Sequence, residues 1–326
     1  MNSRVRIFVP DDYGNRVRDL DCVRRHAGFD LDIVPGPLRD RQELIRHLAA
    51  ADALILIRER TYIDAELLDA APRLKIISQL GRVRRNLSID ECSARGIAVA
   101  EGPTVSHGTA ELAWALIMAA RRCVPQETAA LRQGKWQSTM GYMLGGQTLG
   151  IWGYGRVGRI LAGYGKAFGM RVLIWGREQS LAGARQDGFA AAASREELFA
   201  ASDVLSMHVR LQPETTGIVT AADLSRMRPT ALFVNTARAE LIAPDALANA
   251  LAKGRPGYAA VDVFETEPVD DGSHPLLGME NVICMPHMGY VNWQEYETLF
   301  GDALDSIAGF FAGTPRNIAN PRVPAR

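Results

Sequence analysis

Gly153-Tyr154-Gly155-Arg156-Val157-Gly158 follows a strand-like run, Thr148-Leu-Gly-Ile-Trp152, and precedes a helix-like run at 159–168 and a second strand-like run at 171–175. Strand, glycine-rich turn, helix and strand form the context in which this spacing of glycines binds a dinucleotide. Gly153, Gly155 and Gly158 let the chain turn tightly and let the backbone approach a pyrophosphate closely, while the helix start offers unpaired N–H groups and a partial positive charge.

The end of the second strand bears on which dinucleotide. An acidic residue about 20 residues beyond the fingerprint ordinarily holds the ribose 2′-hydroxyl. Here the strand ends Trp175-Gly176-Arg177-Glu178, with no carboxylate where the strand stops. That removes repulsion against a 2′-phosphate, and Arg177 can pair with the phosphate as a charged fork, which argues for NADPH use. The alternative is a solvated Arg177, with Glu178 or the backbone holding the ribose of NADH.

At 326 residues the chain is long enough for two domains with sizeable cores. Its 37 basic and 37 acidic residues balance, so nothing favours nucleic acid or an anionic membrane as a partner. Cys22, Cys92, Cys123 and Cys284 lie far apart, without the spacing of a zinc site or a disulfide framework. They read as inert thiols of a reducing compartment, so a cytoplasmic protein without metal is expected. The first residues enter a strand at once, so no signal peptide is expected, and no apolar run reaches the length of a membrane span.

Outward from the fingerprint, short apolar runs alternate with helical patterns. Strands are expected at 5–9, 31–34, 53–57, 74–80 and 97–100, with helices near 14–26, 40–50, 64–70 and 88–95. A long apolar helix covers 106–122 and is interrupted at Pro125; a looser, glycine-containing stretch at 133–147 leads into the fingerprint. Further strands are expected at 203–208, 231–237, 258–263 and 282–285. A final helix covers 291–311, and a tail rich in proline and asparagine, 313–326, is expected to trail over the surface. Ser88-Ile-Asp-Glu91 and Ser194-Arg-Glu-Glu197 read as capping boxes. This alternation predicts an α/β protein with two doubly wound parallel sheets, the nucleotide unit second.

In such sheets ligands bind beyond the carboxyl ends of the strands. Arg238 follows the run at 231–237, Glu267 follows 258–263, and Pro286-His287 follows 282–285. A histidine suits proton exchange on a hydroxyl oxygen near neutral pH, a carboxylate on its far ring nitrogen fixes the tautomer, and an arginine grips a substrate carboxylate and polarises its carbonyl. Taken singly, each is also at home as a surface or loop residue; their joint placement beyond a dinucleotide fingerprint points to hydride transfer at C2 of a 2-hydroxy acid.

With these motifs the chain resembles the D-2-hydroxyacid dehydrogenases, a family that includes phosphoglycerate dehydrogenase and the glyoxylate/hydroxypyruvate reductases. The matching residues are Val234-Asn-Thr-Ala-Arg238, Val261-Asp-Val-Phe-Glu-Thr-Glu-Pro268, Met285-Pro-His287, the fingerprint, and His208-Val-Arg-Leu-Gln-Pro-Glu-Thr-Thr216, over about 74–320. The resemblance implies a Rossmann NAD(P)-binding domain, 105–290, inserted into a discontinuous flavodoxin-like substrate domain, 1–104 and 291–326, with the last helix returning to the latter and catalysis in a closing cleft. It implies Arg238 on the 2-oxo acid, His287 as proton donor and acceptor, and Glu267 as its partner. On the cofactor side it implies Arg156 and Val157 at the pyrophosphate, Asp262 at the nicotinamide carboxamide, Thr236 and Ala237 beside the nicotinamide, and Thr109, His208, Thr215 and Gly289 among the lining residues. A homodimer is also implied; the helix 109–120 with Trp114 is either part of its interface or domain core.

One loop departs from the family pattern. Gly-x-Gly-x-Asp-Asn is usual after the fourth strand; here Leu80 is followed by Gly81-Arg-Val-Arg-Arg-Asn86. Leu80 and Gly81 would still present backbone N–H groups to the substrate carboxylate. Arg82 either recognises a second anionic group on a larger substrate or faces solvent. His107 reads as structural or solvated. Two other functions stay open on this fold: a non-catalytic, nucleotide-sensing regulator of the corepressor kind, and a formate dehydrogenase, disfavoured because those relatives carry glutamine where Glu267 stands.

Overall fold

The computed structural model describes residues 4–320, and in it the two stretches of alternation form two separate sheets, each parallel throughout. One compact unit combines the chain up to Val105 with the segment from Asn292 onward; the other is Ser106–Val291.

The first unit carries β1 (Arg6–Asp12), β2 (Asp30–Pro35), β3 (Ala53–Leu56), β4 (Ile76–Gln79) and β5 (Ala98–Glu101), in the order β2-β1-β3-β4-β5. That is the flavodoxin-like order. Ile7, Phe8, Leu54, Ile55, Ile76 and Ile77 are all buried, as strands covered on both faces require. Phe8, Leu54, Leu56, Ile77 and Val99 pack with Leu44, Leu48, Leu67 and Leu68 from the helices Arg41–Ala50 and Ala65–Asp69. The last helix, Trp293–Phe311, packs against β4 and β5, so the chain does return to its first sheet.

The second unit carries β6 (Thr148–Trp152), β7 (Arg171–Trp175), β8 (Ala190–Ala191), β9 (Val204–Met207), β10 (Leu232–Asn235), β11 (Tyr258–Val261) and β12 (Val282–Cys284). Their order, β12-β11-β10-β9-β6-β7-β8, is that of a dinucleotide-binding sheet with one added strand, and it reverses between β6 and β9. Strand alternation feeds two cores: Leu205, Met207 and Phe233 enter one, Val204, Leu232 and Val234 the other. The helix His107–Arg121 lies on the second core through Ala113, Leu116 and Ile117. Trp114 sits edge-on against Phe168, 4.9 Å away, and beside Tyr164.

Several expectations are corrected. The helix expected at 14–26 is a 3₁₀ turn, Val17–Asp19, and a short helix, Asp21–Arg25, separated by a buried, extended Leu20. Asp12 sets this break by accepting the Val17 N–H at 2.9 Å. The two capping boxes are half boxes: Ser88 and Ser194 accept the N–H groups of Glu91 and Glu197, but the Glu91 carboxylate pairs with Arg95 and that of Glu197 takes the Ala193 N–H. The break between the long helix and its successor, Val124–Arg132, falls at the left-handed Cys123, and Pro125 lies in the first turn beyond it.

The tail does not trail as far as it is described. Ile318 bridges Ala100 antiparallel, Glu101 donates its N–H to the Asn317 carbonyl, and Ala319 donates to the Val99 carbonyl at 2.7 Å. The buried Asn320 side chain accepts from the Val99 N–H and donates to the Ile97 carbonyl and the Ser93 hydroxyl. The segment thereby covers the open edge of β5, whose backbone groups otherwise lack partners. The rest of that expectation, 321–326, lies outside the described residues, as does the start of the chain, 1–3. No helix of the described residues is long and apolar enough to cross a membrane. Burial pushes the thiols of Cys22 and Cys92 up to about 12 and that of Cys284 up to about 11, and all four cysteines are unpaired.

Candidate active site

The fingerprint sits where the second sheet reverses. Gly153 leaves β6 at φ 103°, and a Cβ there would press on the His208 carbonyl oxygen beyond β9. A Cβ on Gly158 would strike the Gly153 carbonyl, so this glycine sets how closely the helix Arg156–Ala167 approaches the strand. Gly155 differs: it is the N-cap, it makes no side-chain capping bond, and a Cβ there would meet nothing within 4 Å. Open space in front of an uncapped helix start, bordered by glycines whose neighbours exclude a side chain, fits a pyrophosphate. Arg156 and Val157 are the first helical residues behind Gly155.

Gly176 ends β7 close to Gly153, and Arg177 is the exposed N-cap of the helix Glu178–Gln186. The Arg177 side chain has no hydrogen-bond or ion-pair partner among the described residues, whereas Glu178 is paired with Arg185 at 2.8 Å. Past β9, His208 Nε2 lies 2.9 Å from the Ser206 hydroxyl, and burial pushes its imidazole down to about 4, so it is neutral at pH 7. Thr215 is committed to its own 3₁₀ turn, donating to the Arg210 and Gln212 carbonyls, and the Thr109 hydroxyl donates to the Gly289 carbonyl at 3.1 Å. The buried Thr236 hydroxyl, by contrast, has no partner among the described residues.

Three strand ends present the candidate catalytic residues. Beyond β10 the Asn235 side chain accepts from the Ala237 N–H and donates to the Arg238 carbonyl, which fixes the turn that presents Arg238. Beyond β12, His287 occupies the left-handed region at φ 54°. Its Nδ1 lies 2.5 Å from Glu267 Oε2, and Glu267 Oε1 accepts the Phe264 N–H at 2.9 Å. Burial raises the Glu267 carboxyl, but the bond from His287, the charge of that ring and the Phe264 N–H more than offset it, with Arg238 adding to the effect; Glu267 is held below the usual carboxylate range. With a carboxylate on Nδ1, that nitrogen carries the shared proton and Nε2 is the one left to exchange with a ligand.

Beyond β11, Asp262 is fully buried and accepts the N–H groups of Met288 at 2.7 Å and Gly289 at 2.9 Å. Burial raises its carboxyl to about 6 in spite of those bonds and of the nearby His287 ring. Both oxygens thus fasten the turn immediately after His287. A Cβ on Gly289 would lie 3.2 Å from Asp262 and from Thr109, so a side chain there would require both neighbours to give way.

In the first unit, Leu80 and Gly81 follow β4, and Gly81 takes φ 88°; the Leu80 N–H, expected to be available to a substrate carboxylate, is instead donated to the Leu56 carbonyl at 3.0 Å as the sheet continues. The cation beside Gly81 is Arg58, which sequence reading passed over: its guanidinium occupies the space a Gly81 side chain would need and donates to the Leu80 carbonyl at 3.1 Å. Arg58 is itself left-handed, φ 57°, with its carbonyl gripped by Gln79 and the buried Asn86. Its isolation between Ile57 and Glu59 in sequence gave no sign of this; only the fold brings it to Gly81. Arg82, read as either an anion-binding or a solvent-facing residue, is an exposed side chain paired with Glu101 at 2.6 Å, and the same carboxylate accepts the Val83 N–H at 2.8 Å. His107 is an exposed first residue of its helix.

A reversing parallel sheet, a glycine cradle at the reversal and a histidine–carboxylate pair at the neighbouring strand ends define a dinucleotide-binding α/β protein. Residues 114–289 match the family described as D-isomer specific 2-hydroxyacid dehydrogenase, NAD binding domain. A D-3-phosphoglycerate dehydrogenase of Mycobacterium bovis is 37% identical over 283 residues, 86% of this chain and 52% of that protein. A glyoxylate reductase of Aeropyrum pernix is 37% identical over 295 residues, 86% of this chain and 87% of that protein. Among solved structures, an oxidoreductase from Ralstonia solanacearum is 48% identical with a TM-score of 0.94, covering 98% of this chain and 99% of that one. A phosphoglycerate oxidoreductase from Vibrio cholerae is 43% identical with a TM-score of 0.90, covering 94% of this chain and 98% of that one.

The chain belongs to the D-isomer specific 2-hydroxyacid dehydrogenase family. Its second unit is the family's NAD-binding domain, so its cofactor class is a nicotinamide dinucleotide. It spans about half the length of the mycobacterial relatives.

Proposed function

We propose that the chain catalyses reversible hydride transfer between NAD(P)H and C2 of a 2-oxo/D-2-hydroxy acid. The observation that carries this reading is the 2.5 Å pairing of His287 Nδ1 with Glu267 beyond the strand ends of the NAD-binding sheet. The names of the relatives, a D-3-phosphoglycerate dehydrogenase and a glyoxylate reductase, support the substrate class.

In reduction, His287 gives a proton from Nε2 to the substrate carbonyl oxygen; in oxidation it takes that proton from the hydroxyl. Glu267 stabilises the imidazolium and keeps Nδ1 protonated throughout. Arg238 binds the substrate carboxylate and polarises the carbonyl. On the cofactor side, Arg156 and Val157 face the pyrophosphate. Thr236, whose hydroxyl is unsatisfied, lies with Ala237 beside the nicotinamide, and Asp262 keeps lone pairs for the carboxamide. Thr109, His208, Thr215 and Gly289 line the same site mainly as shape, since the hydroxyls of Thr109 and Thr215 are already committed. When bound, the nicotinamide supplies or accepts the hydride.

NADPH is the preferred cofactor in this proposal, on the unpartnered Arg177 and the absence of a carboxylate at Gly176. The working form is a cytoplasmic homodimer. Trp136, Met140 and Met143, which are 78%, 91% and 78% exposed on one short segment, are the apolar surface for a second copy to cover. Trp114 instead packs on Tyr164 and Phe168 of its own unit. Initial rates of NADPH and NADH oxidation over glyoxylate, hydroxypyruvate, pyruvate and phenylpyruvate, with His287→Ala as control, test the reading. Turnover lost in the variant supports it; cofactor binding without turnover on any acid would favour a nucleotide-sensing regulator.

A further inference from the structure

Glu267 reaches His287 from a loop, 264–274, that has no regular structure of its own, so something must hold that loop still. The His274 ring does so at three points. It stands edge-on to the Phe264 ring, with centroids 4.9 Å apart. Its Nδ1 accepts the Leu276 N–H at 3.3 Å, capping the 3₁₀ turn Pro275–Gly278. Its Nε2 lies 3.0 Å from Glu265 Oε2. Accepting at Nδ1 requires that nitrogen to be bare, so the proton sits on Nε2 and points at Glu265.

These contacts converge on the dyad. Phe264 is 8% exposed, and its N–H is the donor to Glu267 Oε1. The order of support therefore runs from the His274 ring to Phe264, from the Phe264 amide to Glu267, and from Glu267 to His287 Nδ1. A carboxylate on a short loop keeps a 2.5 Å bond only if the loop does not drift, and drift of the order of 1 Å in a catalytic contact costs up to about 10²-fold in rate.

We propose that His274 is a positioning residue for the acid/base pair: by clamping both ends of the 264–276 loop it fixes the Glu267 carboxylate against His287. This rests on the reading of Glu267 and His287 given above. His274 touches neither reacting group and moves no proton.

The test compares His274→Phe, His274→Asn, Glu267→Gln and His287→Ala in the full chain, measuring kcat, KM for the keto acid, cofactor affinity and the pH profile of kcat/KM. His274→Asn retains only the acceptor for the Leu276 N–H and loses the ring on Phe264 and the Glu265 bond, so its kcat should fall and its profile shift in the same direction as that of Glu267→Gln. His274→Phe keeps a ring on Phe264 but loses both polar bonds. Its kcat should fall by about tenfold, and its profile should shift in the same direction as that of Glu267→Gln, with cofactor affinity unchanged. Should His274→Phe fold too poorly to assay, Glu265→Gln, which weakens only the Nε2 bond, should show the same direction of shift at smaller size. If Glu267→Gln moves the profile while the assayable His274 or Glu265 variant keeps the parent's profile and kcat and loses only thermal stability, His274 is purely structural and the proposal is overturned. If Glu267→Gln and His287→Ala themselves retain parent turnover, the underlying reading falls instead.

Discussion

Glu267 divides its two carboxylate oxygens between the Phe264 N–H at 2.9 Å and His287 Nδ1 at 2.5 Å, so one side chain both docks on its own loop and orients the histidine. A glutamine at 267 keeps the size but offers its amide N–H₂ toward Nδ1, favouring the tautomer with the proton on the wrong nitrogen. We expect Glu267→Gln to lower kcat by about 10²-fold or more, with the cofactor dissociation constant unchanged. The limb of the reduction profile that reports loss of the imidazolium should move to lower pH, because the compensating negative charge is gone. The native carboxyl is held low, so the pair's contribution to stability is present at neutral pH and is lost as pH falls through the depressed Glu267 value. Stopped-flow and steady-state rates across pH check both statements.

Gly153 and Gly155 should separate folding from binding. An alanine at 153 must adopt φ 103° and press against the His208 carbonyl, so Gly153→Ala should destabilise the protein by about 1–3 kcal/mol as well as weaken cofactor binding. Gly155 has φ −90° and open space before its Cβ position. Gly155→Ala should therefore melt like the parent yet bind NAD(P)H at least about tenfold more weakly, because the added methyl occupies the phosphate's place. Fluorescence titration with reduced cofactor, beside thermal melts, reads the two effects. Equal affinity in Gly155→Ala would remove the pyrophosphate from that position.

In the proposed reading, Arg177 carries the cofactor preference. A charge-assisted fork to a 2′-phosphate is worth about 1.5–3 kcal/mol. Arg177→Ala should accordingly raise the KM for NADPH by about tenfold or more and leave that for NADH nearly unchanged. Equal changes for both cofactors would show that Arg177 does not read the 2′ position.

The reach of the sequence followed the physics of each signal. Glycine spacing and strand endings are local signals, and the fingerprint glycines, Arg238, Glu267 and His287 are legible from them as candidates. Arg58 and Asp262 have partners elsewhere in the fold: Gly81 lies 23 residues beyond Arg58 in the printed sequence, and the N–H groups held by Asp262 belong to the next strand's end. No periodicity reports such pairings. Short helices such as Glu178–Gln186 and Ala246–Ala252 gave too few turns for a pattern and are held by packing. The tail at 314–320 read as loop because its role, covering the edge of β5, depends on where that edge is.

Asp262 and His208 should bend the pH dependence of stability in opposite senses. The Asp262 carboxyl rises from an ordinary 3.8 to about 6, so between these values the folded protein holds a proton the unfolded chain has released, and stability falls as pH rises through the window. Its full size is about 3 kcal/mol. His208 is pushed from 6.5 to about 4, so the unfolded chain binds the extra proton there, and stability rises with pH over an overlapping window by a similar amount. In the parent the two slopes largely cancel from about pH 4 to 6. Asp262→Asn should unmask the His208 term, giving a protein whose urea midpoint climbs with pH across that range. His208→Gln should do the reverse, with the midpoint declining as Asp262 ionises. Asp262→Asn also leaves one of the Met288 and Gly289 N–H groups facing an amide N–H₂, at a cost of about 1–3 kcal/mol at every pH. An offset between the two curves is therefore expected, but only the slopes test the ionisations, and parallel slopes in parent and both variants would show that neither group titrates as its burial implies.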